Sequence, residues 1–320
     1  MNLFKNILYV SEGAVSQEAS IMRAVSLAEN NQADLTVIDV IPIISAGIGL
    51  PRGSLISSKL QTAIVNERQK ILEALIEPYK KRLHIRLDIL VGTTFLEVIR
   101  VVLRNGHDLL IKPAENPSFI ERLFGTNDMQ LLRNCPCPVW LTRAKEKSKY
   151  KQILAAVDFD PDMPDTIEQD LNRQILELSG SLAFSDFASL HVIHAWNAPG
   201  EAMLRTWADD LQEASATYVE GIRSSHERAY NRLRQRLIER IGKDTSDYLS
   251  PEFHMRRGAA ATVIPEIAKE LHTDLVVMGT VARAGVMGLF IGNTAEFVLE
   301  QLQCSVLAVK PPGFVSPVHL

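Results

Sequence analysis

Short apolar runs recur along this chain, separated by stretches whose apolar positions fall three and four residues apart. Ile7-Leu-Tyr-Val10 predicts a first strand, and Ile21, Ala24, Val25 and Ala28 place one apolar face on the helix behind it. Ala33 to Ile41 predicts a second strand. Ile43 to Ile56 reads as an apolar, glycine-bearing loop, and a long helix runs from about Ser58 to Glu77 and stops at Pro78. Ile85 to Leu90, Leu109 to Ile111 and Val139 to Leu141 predict strands three to five, with one helix over 95–104 and another ending near Asn134. Strands alternating with helices predict a parallel α/β sheet with right-handed crossovers.

The pattern then restarts. Residues 144–151 are charged and lack apolar periodicity, so they read as a linker. Beyond them Ile153 to Val157 repeats strand one, and Ala188 to Trp196 repeats strand two position by position. A long helix is expected over 202–241. Gly258 and Asp274 match Gly92 and Asp108 at an offset of 166 residues, while Gly292 and Cys304 match Gly125 and Cys137 at 167. One residue is therefore inserted in the second copy's loop. So long a period excludes a solenoid unit. The expectation is a duplicated α/β domain, 1–144 and 152–320, joined by 145–151. Each copy should hold a five-stranded, mainly parallel sheet with helices on both faces.

The densest chemistry lies between Asp274 and Glu296. Leu275 to Met278 is a continuous apolar run, as in a strand covered on both faces. A glycine-bearing loop follows, then a helix with Asn293 as expected N-cap and Glu296 three residues on, where a capping box puts its carboxylate. A strand that runs through glycines into a helix N-terminus is where such folds hold phosphate. The spacing Gly279-x2-Ala282-x9-Gly292-Asn293-Thr294 resembles the nucleotide loop of the universal stress protein family. ATP-binding members of that family read Gly-x2-Gly-x9-Gly followed by Ser or Thr. Here Ala282 replaces the second glycine, and the hydroxyl of Thr294 falls one position late.

The resemblance spans the whole chain. It implies two domains of the adenine nucleotide alpha hydrolase-like type. It also implies that their last strands, Val139–Leu141 and Val306–Val309, pair within the chain as a pseudo-dimer. If nucleotide binds, the resemblance puts ATP in the second domain, with Asp158 near the adenine and the end of strand two, near His194 and Ala195, as a second wall.

The residues themselves leave alternatives open. Asp158 suits a crevice at the end of a parallel strand, and equally the cap of the following turn. Gly279 and Gly292 permit positive φ and close approach to a ligand, whereas alanine at 282 would be strained there by roughly 1 kcal/mol. Arg283 is the loop's only basic residue, and Val286 to Ile291 is almost wholly apolar. Such a loop suits packing on another subunit or on an apolar ligand better than contact with triphosphate. The first copy is less suited still. Ser11 stands in place of Asp158 and Pro113 in place of Gly279, and Glu115, Glu121 and Asp128 would repel phosphate. The apolar stretch Ile41 to Leu50 is expected as a lid over the domain core, or else as the wall of an apolar pocket or interface.

Other candidates carry less. His191 and His194, three apart on a strand, point to opposite faces, so no metal site is expected from them. Cys135-Pro-Cys137 reads as a buried edge rather than a redox pair. Arg228, Arg232, Arg234, Arg236 and Arg240 alternate with Glu227 and Glu239 and read as the solvent face of the long helix. Arg256 and Arg257 read as a solvated strand end.

Composition narrows the partners. A formal charge of −4 over 320 residues favours neither nucleic acid nor an anionic membrane. No window has 18 uninterrupted apolar residues, no secretory start is evident, and three cysteines suit a reducing compartment, so the cytoplasm is expected. The functional expectation is a stress-response protein that acts by binding, without turnover, on an apolar ligand or partner protein. The alternative is an ATP-binding protein that uses its second domain for slow hydrolysis or nucleotide-dependent switching.

Overall fold

The computed structural model describes residues 3–13, 15–44, 55–115, 127–143, 147, 149–163, 167–207, 212–280 and 291–320. In the first half the strands are β1 (Asn6–Val10), β2 (Asp34–Ile41), β3 (Ile85–Val91), β4 (Leu109–Pro113) and β5 (Val139–Thr142). The helices are α1 (Glu18–Asn31), α2 (Leu55–Ile76), α3 (Thr94–Asn105) and α4 (Asn127–Asn134). In the second half the strands are β6 (Gln152–Val157), β7 (Ser189–Trp196), β8 (Glu252–Arg257), β9 (Leu275–Gly279) and β10 (Ser305–Val309). The helices are α5 (Ile167–Asp186), α6 (Glu201–Trp207), α7 (Gln212–Ile241), α8 (Lys243–Leu249), α9 (Ala260–Glu270) and α10 (Asn293–Gln301). The single long helix expected over 202–241 is thus described as α6 and α7. The chain also passes through Pro78 in a 3-10 turn, Glu77–Tyr79, because proline fits the first turn of a helical segment.

All strands form one sheet, ordered β3-β2-β1-β4-β5-β10-β9-β6-β7-β8. Each half is parallel, and the halves meet through the antiparallel pair β5–β10, with Trp140 opposite Leu307. The pseudo-dimer is therefore an observed contact. Strand interiors are apolar in β1, β6, β9 and β10, as required when helices cover both faces, and β4 is apolar apart from Lys112. On one face α1, α2, α5 and α7 bury residues such as Ile21, Leu72, Ile175 and Leu237. On the other α3, α4, α9 and α10 bury Ile99, Leu132, Ile267 and Val298. Each of these two cores draws side chains from both halves of the chain.

The matched positions do matching work. Asp108 accepts the backbone N–H groups of Lys5 (2.7 Å) and Asn6 (3.1 Å), which open β1. Asp274 accepts those of Lys151 (2.6 Å) and Gln152 (3.1 Å), which open β6. Each carboxylate thus satisfies donors left over at a strand start. The expected linker lies partly outside the described residues, yet what is described is held. Lys147 reaches Asp274 at 2.5 Å, and its carbonyl accepts from Arg23 at 2.9 Å. Arg23 also stacks 3.7 Å from the ring centre of Tyr150 and pairs with Asp186 on α5 at 3.0 Å.

Trp140 is fully buried at the seam. Trp140→Ala should cost about 3–5 kcal/mol, and the loss should register in both halves as one cooperative transition. Urea unfolding followed by circular dichroism, with hydrogen exchange to locate the loosened amides, checks this. Loss confined to residues 1–143 would contradict a shared core.

Candidate functional site

The sites expected from sequence lie where the C-terminal ends of β6 and β9 open beside α10. Asp158 leaves β6 exposed to solvent, with its backbone fixed by Asn172, whose amide donates to the Asp158 carbonyl at 2.7 Å and whose oxygen accepts the Asp158 N–H at 3.0 Å. Gly279 ends β9. A Cβ there would meet the terminal methyl of Leu171 on α5 at 2.6 Å, so any larger residue would have to displace this side chain. Gly292 has φ −67° and ψ 140°, ordinary extended backbone. The positive φ expected of these two glycines is not observed. Gly292 donates its N–H to the Thr280 carbonyl at 2.9 Å, which ties the two ends of the loop together. Ala282 and Arg283, with the apolar run 286–290, fall outside the described residues.

Helix α10 begins one residue earlier than the capping box requires. Gly292 is the N-cap, and Asn293 and Thr294 occupy the exposed first turn. Glu296 reaches across the seam to Arg133 instead, with a 3.1 Å bond to its Nε. That pairing places a carboxylate in the first turn of α10 and a guanidinium in the last turn of α4, favourable to both helix dipoles.

Beneath Asp158 lies an aromatic cluster. His194 is fully buried, stacks on Phe159 at 3.9 Å and shares a 2.9 Å hydrogen bond with His226 of α7. Burial, reinforced by His226, pushes its pKa down to about 3, so the ring is neutral at physiological pH. His194 is thus packed in the core beneath Asp158. Tyr230 closes the cluster by donating to the Val192 carbonyl at 2.7 Å.

The first copy uses the equivalent region differently. Lys112, fully buried in β4, bonds to Asp128 of α4 at 2.8 Å and to Glu12 at 3.0 Å, with Glu115 at 3.8 Å. Burial lowers the pKa of this ammonium, but Asp128 and Glu12 outweigh it and the net direction is upward. Asp128 also accepts the Glu115 N–H at 2.8 Å. The carboxylates expected to repel phosphate are largely spent on this internal cation. Glu121 and Gly125–Thr126 lie outside the described residues, as do residues 45–50 of the apolar stretch. Of that stretch, Ile43 is exposed beside an α2 whose Leu55 and Ile56 are exposed too.

A groove of about 140 Å³ opens between α5 and α7. Its floor is Phe159, Leu176, Leu233 and Leu237, and its rim carries Arg173, Arg232, Arg236 and Arg240 against Asp160, Asp170 and Glu177. Arg232, Arg236 and Arg240, spaced by four, form one stripe along α7. These arginines are exposed, as expected of the solvent face of the long helix, and they also border this cleft. The i, i+4 spacing next to Leu233 and Leu237 was the signal that they border an apolar cleft.

The remaining candidates resolve simply. Cys135 and Cys137 are buried thiols 3.5 Å apart, and the hydrogen bond from Cys135 together with burial pushes the Cys137 pKa upward, away from thiolate. Arg256 pairs with Glu270 at 2.6 Å and Arg257 with Glu201, so the end of β8 is held by ion pairs. His191 and His194 do lie on opposite faces of β7. One group of potential metal ligands among the described residues is His191 with Glu252 and His254, from the neighbouring strand.

Two parallel five-stranded halves joined through their last strands, with a glycine loop at the end of the fourth strand, are the arrangement expected of the family resembled. Its profile, the Universal stress protein family, matches residues 3–143 and again 149–310. The chain belongs to the universal stress protein family. It is 29% identical to the universal stress protein E homolog of Haemophilus influenzae over 318 residues, covering 96% of this chain and 98% of that one. It is 30% identical to universal stress protein E of Escherichia coli K12 over 230 residues, 71% of this chain and 68% of that one. A crystal structure of a functionally unknown protein from Pseudomonas aeruginosa PAO1 superposes with a TM-score of 0.65 at 25% identity, over 97% of this chain and 94% of that one. Among the described residues no helix is long and apolar enough to cross a membrane.

The neutral His194 carries a pH dependence whose sign can be worked out. Its folded pKa of about 3 lies below the ordinary imidazole value. As pH falls below about 6.5, the unfolded chain takes up a proton that the folded chain refuses until about pH 3. Stability from this group is therefore full above pH 6.5 and lost between 6.5 and 3, at about 1.4 kcal/mol per pH unit. His194→Gln should flatten the fall in unfolding free energy between pH 6 and 4 by about that slope. An unchanged slope in urea titrations would contradict the buried neutral ring.

Proposed function

We propose that this universal stress protein acts in the stress response by binding, and that its ligand is a small apolar molecule with an acidic group, held between α5 and α7. The groove carries this reading. Arg173 pairs with Asp170 and Arg240 with Glu177, and Arg232 and Arg236 join Asp160 at the rim, around a floor of Phe159, Leu176, Leu233 and Leu237. Such a lining favours an apolar body in the cleft and an anion at the rim. Octanoate is a suitable probe. Calorimetry should give one site per chain, with binding weakened at least tenfold in Leu233→Glu and in Arg236→Glu. Octanoate binding that is indifferent to both substitutions would sink the reading.

ATP at the second domain is the second reading, favoured by exposed Asp158 at the end of β6 and exposed Asn293 and Thr294 in the first turn of α10. The first copy is the poorer host, because Lys112 and its carboxylates already fill the matching place. Titration of the full chain with Mg-ATP should then show at most one weak site. Ala282→Gly should strengthen it, and Asp158→Ala together with Thr294→Ala should remove it. Two equal sites, or binding that survives the double substitution, would exclude this use of the second domain.

A further inference from the structure

We propose that His191, Glu252 and His254 form a binding site for a divalent transition-metal ion of the zinc type, at the outer edge of the sheet. The register of β7 and β8 sets His191 opposite Glu252 and Ile193 opposite His254. Glu252 and His254, two apart on β8, share the face that His191 presents from β7. His191 Nδ1 lies 3.1 Å from His254 Nε2 and 3.5 Å from a Glu252 carboxylate oxygen, and that oxygen lies 4.0 Å from His254 Nε2. Bonds of about 2.0–2.1 Å to a tetrahedral ion put its ligand atoms about 3.3 Å apart. The two shorter edges already have that length, and the third closes by rotation of Glu252, which is 64% exposed along its side chain.

The protons are arranged for the same purpose. His191 Nε2 lies 2.8 Å from the side-chain oxygen of Gln152, which can only accept, so the ring carries its proton on Nε2. That leaves the lone pair of Nδ1 facing His254 and Glu252. An imidazole that ligates through one nitrogen and donates its other N–H to a carbonyl is the usual outer-shell arrangement of metal-binding histidines. In the free protein His254 donates Nε2–H to His191 Nδ1. Metal binding takes His254, 22% exposed, to its Nδ1–H tautomer through exchange with water. Burial holds both rings below the ordinary imidazole pKa, against the pull of Glu252 on each and of Glu270 on His254, with Arg256 adding to the depression of His254. Two imidazoles and one carboxylate suit zinc, cobalt and copper over calcium or magnesium, and leave one tetrahedral position to water.

The site is independent of the groove between α5 and α7, so its test does not depend on the proposed ligand. Full-length protein stripped with chelator should bind one Zn2+ per chain by calorimetry. Co2+ in its place should give the intense visible absorption of tetrahedral coordination. His254→Gln, at a half-exposed strand position, and Glu252→Gln should each lower the affinity at least tenfold while leaving the circular dichroism of the metal-free protein unchanged. Gln152→Leu, which removes only the outer-shell acceptor, should weaken binding about tenfold. His226→Gln, in the separate pair with His194, should leave it intact. Absence of binding at millimolar Zn2+, an octahedral cobalt spectrum, binding that survives His254→Gln, or loss of binding in His226→Gln would each overturn the assignment.

Discussion

The antiparallel pairing of β5 with β10 is the contact on which the rest of the structure depends. Both strands are buried along their whole length. Either half alone would present an apolar edge with a row of unpaired N–H and C=O groups, the feature that drives edge-to-edge association. Joined within one chain, each half hides the other's edge, and both cores run through the seam. Several polar groups beside the seam are matched as well. Lys310 donates to the Leu132 carbonyl at 2.5 Å and to Thr280 at 2.8 Å, and burial lowers its pKa to about 8. Arg143 donates its backbone N–H to Ser305 at 3.1 Å. An ammonium buried this far is tolerable only with acceptors fixed around it, so the seam also fixes Thr280 at the end of β9.

Within this frame the two copies agree at one end of the sheet and differ at the other. Asp108 and Asp274 perform the same task at the N-terminal ends of the strands, where only backbone donors need satisfying. At the C-terminal ends, where open α/β sheets bind ligands, the copies separate. The first closes on itself, because a lysine buried in β4 requires carboxylates around it, and carboxylates so arranged disfavour phosphate. The second carries Met278 at the position of Lys112 and needs no such screen. One substitution of an apolar residue by a cation inside a strand thus accounts for much of the electrostatic difference between the halves.

The fold was legible because its determinants are local. Strand runs, helix faces and the 166-residue offset are visible without coordinates, and the pairing of the last strands, where Trp140 meets Leu307, was implied by the family resemblance. The capping box at Asn293 was misread because Glu296 had a better partner, Arg133, that is distant in sequence. Gly279 permits positive φ but does not use it, and the side chain that approaches it is Leu171, from a helix that sequence spacing does not place. The arginine stripe on α7 is periodic enough to see, but only the neighbouring α5 turns it from a solvent face into the rim of a groove.

The edge strand β8 shows the same limit and its physical origin. An outer strand has ladder hydrogen bonds on one side only, so cross-strand and strand-to-helix side chains carry more of its stabilisation. Here His254 reaches His191 on β7, Arg256 reaches Glu270 on α9, and Arg257 reaches Glu201 on α6. Each link joins residues far apart in the chain, and none follows from periodicity. Within β7 alone, His191 and His194 do diverge, and a reading confined to one strand rightly finds no site there. The second ligand comes from the adjacent strand, set by a register that only the folded sheet fixes. Charged and ligating side chains on this strand serve two ends together. They hold β8 in place, and they keep its open edge too polar to pair with another chain.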